Sequence, residues 1–177
     1  MAEMSNIMNS NQESIILIGM PGAGKSTLGV ILAKVLGYHF VDADLVIQQK
    51  EGRLLKDIIA ERGVEGFIEL ENRINAGISD ERTVIATGGS AVYGKDAMMH
   101  YKEIGRLIYL KLEYEELKKR LSDIRNRGVV FRENQSLEEL YHERCALYER
   151  YADIVIDETG LNVEQTLEKV IDGLGKI

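Results

Sequence analysis

The chain has 177 residues, 45% hydrophobic and 29% charged, with 17 Gly, one Pro and no Trp; this suits a globular protein and excludes disordered, collagen-like and mucin-like architectures. A formal net charge of −7 repels polyanions and anionic lipid, so neither nucleic acid nor a membrane surface is an expected partner. The lone Cys145 can form no internal disulfide and no Cys/His cluster offers a metal site, so the cytoplasm is the expected compartment; a monomer is expected.

Residues 1–13 are polar and lack a basic patch followed by a long apolar stretch, and are expected to be a disordered tail rather than a signal peptide. Residues 14–177 then form a single domain. Strand-like runs fall at Ser14–Ile18, His39–Val41, Thr83–Ala86, Leu107–Leu110 and Ile154–Ile156, with helical apolar spacing between them, which reads as α/β with a parallel sheet. After the first strand a helix places Leu28, Ile31, Leu32 and Val35 on one face and stops at Gly37. A second helix runs from Glu65 to about Ile78, with Phe67, Leu70, Ile74 and Ile78 on one side. The segment from Ile124 to Gln135 has no steady periodicity and reads as a mobile loop. Two capping boxes, Ser136 with Glu139 and Asn162 with Gln165, mark later helix starts. The first displays Leu137, Leu140, Tyr141, Leu147 and Tyr148 inward, and the second Val163, Leu167, Val170 and Leu174.

Gly19-Met20-Pro21-Gly22-Ala23-Gly24-Lys25-Ser26 fits G-x-x-x-x-G-K-[ST] and lies between an apolar strand and an amphipathic helix, the context that motif requires. Its glycines let successive N–H groups curl toward an anion, and the helix N-terminus adds its positive dipole end. Gly22, Ala23, Gly24, Lys25, Ser26 and Thr27 are thus placed against a nucleotide, with Lys25 at the outer phosphates and Ser26 on Mg²⁺. ATP with Mg²⁺ is the expected occupant. No N-K-x-D guanine-reading motif is present, which excludes a GTP switch, and the short chain points to a compact phosphotransferase.

Asp42-Ala43-Asp44 follows the second strand, at the end where open α/β sheets gather ligands. The third strand carries no Asp for the metal, which leaves Asp42 for Mg²⁺ and Asp44 to orient an attacking hydroxyl. Helix capping is the competing role for these acids. Gly88 and Gly89 follow the third strand and open a wall where a small acceptor can approach the backbone; a plain tight turn accounts for the same pair. Lys118, Lys119, Arg120, Arg125, Arg127 and Arg132 face only Asp123, a local net charge of +5 that suits a flap over triphosphate. Arg127 is the first choice for stabilising the migrating phosphoryl group, and Arg144, one helical turn before Tyr148, is a further candidate contact for the acceptor.

Together G-M-P-G-A-G-K-S, D-A-D, the Gly-Gly pair and R-x-x-L-Y at Arg144 to Tyr148 resemble the shikimate kinase family over residues 14 to about 174. The resemblance implies a three-layer P-loop nucleoside triphosphate hydrolase fold: a five-stranded parallel sheet in order 2-3-1-4-5, helices on both faces, a substrate-binding helical region over about 44–78 and a mobile lid over about 124–136. It also implies ATP-dependent phosphorylation of the 3-hydroxyl of shikimate, a step of aromatic amino-acid biosynthesis. By position, Asp44, Gly88, Gly89 and Arg144 resemble the acceptor contacts, Arg127 the lid arginine, Arg120 the adenine-side arginine, and Lys25, Ser26 and Asp42 the phosphate and Mg²⁺ groups. Four positions depart: Ile68 follows Phe67 where the family has Arg, Ser90 replaces a third glycine, Gly128 follows Arg127 where Pro is common, and Glu158 to Leu161 lack an adenine-side arginine. Ile68 matters most, because losing ~2–3 kcal/mol of charge-assisted contact weakens shikimate binding about 30- to 150-fold unless Arg73 or another cation compensates. The alternatives are a kinase of the same fold acting on another small hydroxy acid or polyol such as gluconate, and a catalytically idle nucleotide-binding module.

Overall fold

A computed structural model describes residues 13–121 and 129–175. In chain order the elements are β1 (Ser14–Ile18), α1 (Lys25–Leu36), β2 (His39–Asp42), α2 (Ala43–Glu51), α3 (Leu55–Asn75), β3 (Thr83–Ala86), a 3₁₀ turn (Ala91–Tyr93), α4 (Lys95–Ile104), β4 (Gly105–Lys111), α5 (Tyr114–Leu121), α6 (Leu137–Tyr151), β5 (Ile154–Asp157) and α7 (Val163–Leu174). All strand pairs are parallel, in the order β2-β3-β1-β4-β5, as the family resemblance implies.

Strand periodicity explains the layers. Ile16 and Ile18 of β1 point with Ile85, Leu107 and Tyr109 into one core, covered by Met98 and Tyr101 of α4 and by Leu140 and Tyr148 of α6. Ile15 and Leu17 point with Val84, Ile108 and Leu110 to the opposite face, covered by Leu28 and Leu32 of α1 and Val170 of α7. A strand buried on both faces reads as a near-continuous apolar run; every residue of β1 is buried and all but Ser14 are apolar, the Ser14 hydroxyl donating to Asp80 O. A third cluster, with Ile47, Ile58, Phe67, Leu70 and Ile74, joins α2 to α3 beside the C-terminal edge of the sheet.

Several expectations need correction. Of the four apolar residues expected on one face of α1, only Leu28 and Leu32 are buried, while Ile31 and Val35 are 36% and 57% exposed, because the face that rests on the sheet continues through Gly29 and Ala33 instead. Val163 likewise faces solvent at the first turn of α7. The helix expected from Glu65 begins ten residues earlier at Leu55 and ends at Asn75, before the buried Ile78. It is interrupted at Gly63, whose φ of 71° and ψ of 177° break the helical path; a glycine tolerates that backbone, and the break hides the first half from a periodicity reading. Both capping boxes form, and Gly37 ends α1 with φ 68°. Among the described residues no helix is long and apolar enough to cross a membrane.

Candidate active site

The C-terminal ends of β1, β2 and β3 are brought level by register: Leu17 pairs with Ala86, and Ala86 with Asp42. Three loops therefore leave the sheet side by side, carrying residues 19–24, Asp42 to Asp44, and Thr87 to Ser90. They surround a cavity of about 280 Å³ whose wall includes Gly22, Gly24, Lys25, Ser26, Thr27, Asp44, Phe67, Gly88, Gly89 and Arg144.

The first loop is shaped by glycines. Gly19 has φ 148°, and a Cβ there would stand 2.8 Å from the Leu110 carbonyl oxygen, so no other residue keeps the loop this close to β4. Lys25 is buried and its Nζ donates to the carbonyls of Gly19 and Met20, both at 2.8 Å. Burial lowers its pKa to about 8, against the pull of the Asp44 carboxylate, which raises it. Ser26 Oγ donates to Asp42 Oδ2 at 2.6 Å. Asp42 Oδ1 accepts from the backbone N–H groups of Asp44 and Leu45 at the start of α2. Asp42 thus both caps a helix and reaches Ser26; the two roles weighed for it use different oxygens. Hard oxygens from Ser26 and Asp42, at the start of α1 and the end of β2, form a donor set that fits Mg²⁺.

Asp44 lies one residue into α2, and its carboxyl pKa is raised to about 6, first by burial and next by Asp42, with Lys25 opposing. At neutral pH it is an anion close to the titration range, able to orient a hydroxyl and receive its proton. Across the cavity Arg144 is 1% exposed. Its Nη2 donates to Val130 O at 2.8 Å, its Nε donates to Tyr93 Oη at 3.4 Å, and its guanidinium lies 5.3 Å from the centre of the Tyr93 ring. None of the salt bridges among the described residues includes it, so it is a desolvated cation ready to take an anion from the cavity. Tyr148, buried one turn later, donates to Gly89 O at 2.5 Å and anchors the glycine pair. A Cβ on Gly89 would stand 2.6 Å from Pro21 Cδ and 3.1 Å from Arg144 Nη1. Close packing against Glu71, Asp44, Pro21 and Arg144 therefore leaves no room for a side chain at either glycine.

The basic run is less free than its charge suggests. Arg120 donates to Gly22 O at 3.3 Å, to Glu158 at 3.1 Å and to Glu116 at 2.5 Å, which sets it on the outer side of the nucleotide loop. Arg132 is tied to Glu65 and Glu143. Arg127 and Arg125 lie outside the described residues. Ile68 is half-buried and does not line the cavity; Arg73, on the outer face of α3, lines a separate shallow cleft with Arg62 and Glu69. Arg73 therefore does not replace the absent arginine.

Two buried acids escaped the sequence reading. Glu158, with its pKa raised to about 7 by burial against the opposing Arg120, follows β5 as an ordinary loop acid would. Glu71 sits behind Gly88, and Ser90 Oγ donates to its Oε2 at 2.5 Å. Its spacing was the available signal: Glu71 falls four residues after Phe67 and one after Leu70, on the inward face of α3.

The Shikimate kinase family model matches residues 21–174. A shikimate kinase of Thermodesulfovibrio yellowstonii is 36% identical over 162 residues, covering 90% of this chain and 93% of that protein. The solved structure of shikimate kinase from Acinetobacter baumannii in complex with shikimate superposes with a TM-score of 0.84 at 30% identity, covering 94% of each chain. A gluconokinase from Sinorhizobium meliloti, at 18% identity and a TM-score of 0.51 over 93% of this chain and 92% of that one, shares the fold alone.

Proposed function

The chain belongs to the shikimate kinase family, and we propose that it moves the γ-phosphoryl group of ATP onto the 3-hydroxyl of shikimate, with Lys25 against the phosphates and Asp44 against that hydroxyl. One observation carries the assignment of roles: a single cavity wall unites the phosphate loop, the Asp44 carboxylate, the Gly88–Gly89 backbone and a buried Arg144 cation. Similarity at 36% over most of the chain favours shikimate over gluconate or another polyol.

Lys25 gives up the Gly19 and Met20 carbonyls and turns to the outer phosphates, where its charge offsets what develops in transfer. The backbone amides of residues 22–27 hold the phosphates at the N-terminus of α1. Ser26 and Asp42 would hold Mg²⁺, which when bound supplies positive charge to the phosphate oxygens. Asp44 accepts a hydrogen bond from the acceptor hydroxyl and aligns it. Because phosphoryl transfer has a loose transition state, alignment matters more than early proton removal, and Asp44 takes the proton as the bond forms. Arg144 binds the acceptor carboxylate, and Gly88 and Gly89 give it room to approach. Arg120 lies toward the adenine, and Arg127 is assigned to the phosphoryl group.

Measuring ADP release with shikimate, quinate, gluconate and simple polyols tests this. Turnover with shikimate at the highest kcat/KM is expected; full activity with gluconate and none with shikimate refutes the acceptor.

A further inference from the structure

Glu71 is 1% exposed, and its two oxygens differ. Oε2 accepts from Ser90 Oγ, whereas Oε1 is buried with no hydrogen-bond partner. Oε1 does not point into apolar packing. It lies 2.5 Å from the place a Cβ on Gly88 would occupy, and Asp44 Oδ1 lies 2.7 Å from the same place. Two carboxyl oxygens therefore converge on the bare Cα of a cavity residue, one from α3 and one from α2. Burial, and after it the charge of the Asp44 carboxylate, disfavours an ionised Glu71. Since Oε2 already accepts from Ser90, the oxygen left to carry a proton is Oε1, on the side of Asp44.

We propose that Glu71 is a positioning residue: its carboxylic acid group, protonated on Oε1, hydrogen-bonds Asp44 Oδ1 across Gly88 and so turns Asp44 Oδ2 toward the acceptor hydroxyl. This rests on the assignment of Asp44 to that hydroxyl. The serine at position 90 gains a purpose, since its hydroxyl decides which Glu71 oxygen carries the proton. The other groups that act electrostatically on Glu71 are Arg144 and Tyr148 from α6, Lys25 from α1 and Tyr101 from α4. Both cations favour the ionised form, yet burial outweighs them and raises the Glu71 pKa to about 8.

The decisive measurement pairs a spectrum with kinetics. At pH 7 the infrared difference between the parent enzyme and a Glu71→Gln variant should show the carbonyl stretch of a buried carboxylic acid, which needs no substrate. With saturating Mg·ATP and shikimate, Glu71→Gln, whose amide can donate to Asp44 at any pH, should keep kcat within about threefold of the parent; Glu71→Ala should lose about 10- to 100-fold in kcat with KM for ATP unchanged. Raising the pH through about 8 should lower the parent kcat more than that of Glu71→Gln. Absence of the acid band, or equal losses in the Gln and Ala variants, overturns the proposal. Should Glu71→Ala fail to fold, the band and the Gln variant still decide. If the parent does not turn over shikimate, the acceptor assignment falls while the band still reports on the pair.

Discussion

Replacing Arg144 with Met should separate recognition from stability. Methionine fills the same elongated space without charge. In the folded protein the guanidinium is 1% exposed and has one good hydrogen bond, to Val130 O at 2.8 Å, a long one to Tyr93 Oη at 3.4 Å, and a position 5.3 Å from the Tyr93 ring centre. Arg144→Met forfeits the cation–π contact, ~1–2 kcal/mol, and leaves Val130 O unpartnered at ~1–3 kcal/mol. Against this it relieves the desolvation of a buried cation with no carboxylate partner, which is several kcal/mol in the same range. The opposing amounts nearly cancel, so urea unfolding should shift by no more than ~2 kcal/mol in either direction. Binding has no such cancellation. With Ile68 in place of a second arginine, the carboxylate of shikimate depends on this one guanidinium, and losing a charge-assisted bond of ~1.5–3 kcal/mol should lower kcat/KM about 10- to 150-fold, chiefly through KM. Shikimate methyl ester gives an internal control: the parent should discriminate against it by a similar factor and Arg144→Met should not. An unchanged KM for shikimate in Arg144→Met, or equal discrimination by both proteins, refutes the assignment of this arginine.

Lys25→Ala should abolish phosphoryl transfer to every acceptor, by at least about a thousandfold in kcat, and ATP consumption at the parental pace would defeat the reading of the phosphate loop. Ile68→Arg should lower KM for shikimate about tenfold if the absent second cation limits recognition; unchanged KM would show that it does not. Stability should fall as pH rises from about 4.5 to about 8, because Glu71 keeps its proton in the folded protein over a range where the unfolded chain has lost it. The sign follows from the raised pKa: this contribution is complete below the unfolded value and gone above the folded one. Glu71→Gln should flatten the slope of unfolding free energy against pH, and an unaltered slope would count against a buried neutral acid.

The positions of the strands, the phosphate loop and the D-x-D acids were legible because each is local: an apolar run, a glycine spacing, a pair of carboxylates at a strand end; the order of the strands came only with the family resemblance. The capping boxes were legible for the same reason. What escaped depends on contacts distant in sequence. Glu71 and Ser90 are 19 residues apart, and only the packing of α3 against the loop after β3 makes one the partner of the other. Tyr148 reads as an apolar helix residue, and its anchoring of Gly89, 59 residues away, has no local signature. The start of α3 was hidden by Gly63, where a local rule against glycine in helices is satisfied by a real break. Arg132 belonged to a basic run by composition, yet Glu65 and Glu143 neutralise it, and pairing of that kind appears in no count of charges.

The two halves of the site are prepared differently. On the nucleotide side, groups that would serve ATP are already satisfied within the chain: Lys25 by two carbonyls, Ser26 by Asp42, Arg120 by Gly22, Glu116 and Glu158. Binding there exchanges one set of hydrogen bonds for another, and its net strength comes from charge and the helix terminus. On the acceptor side, among the described residues Arg144 forms no salt bridge, and Glu71 Oε1 faces only the Asp44 carboxyl group. A ligand carrying both a carboxylate and a hydroxyl gives the cation a counter-charge and fixes Asp44 beside the neutral acid, relieving desolvation that the fold has already incurred. Discrimination between acceptors should therefore be sharper than discrimination between nucleotides, since a polyol without a carboxylate leaves Arg144 buried and unpaired.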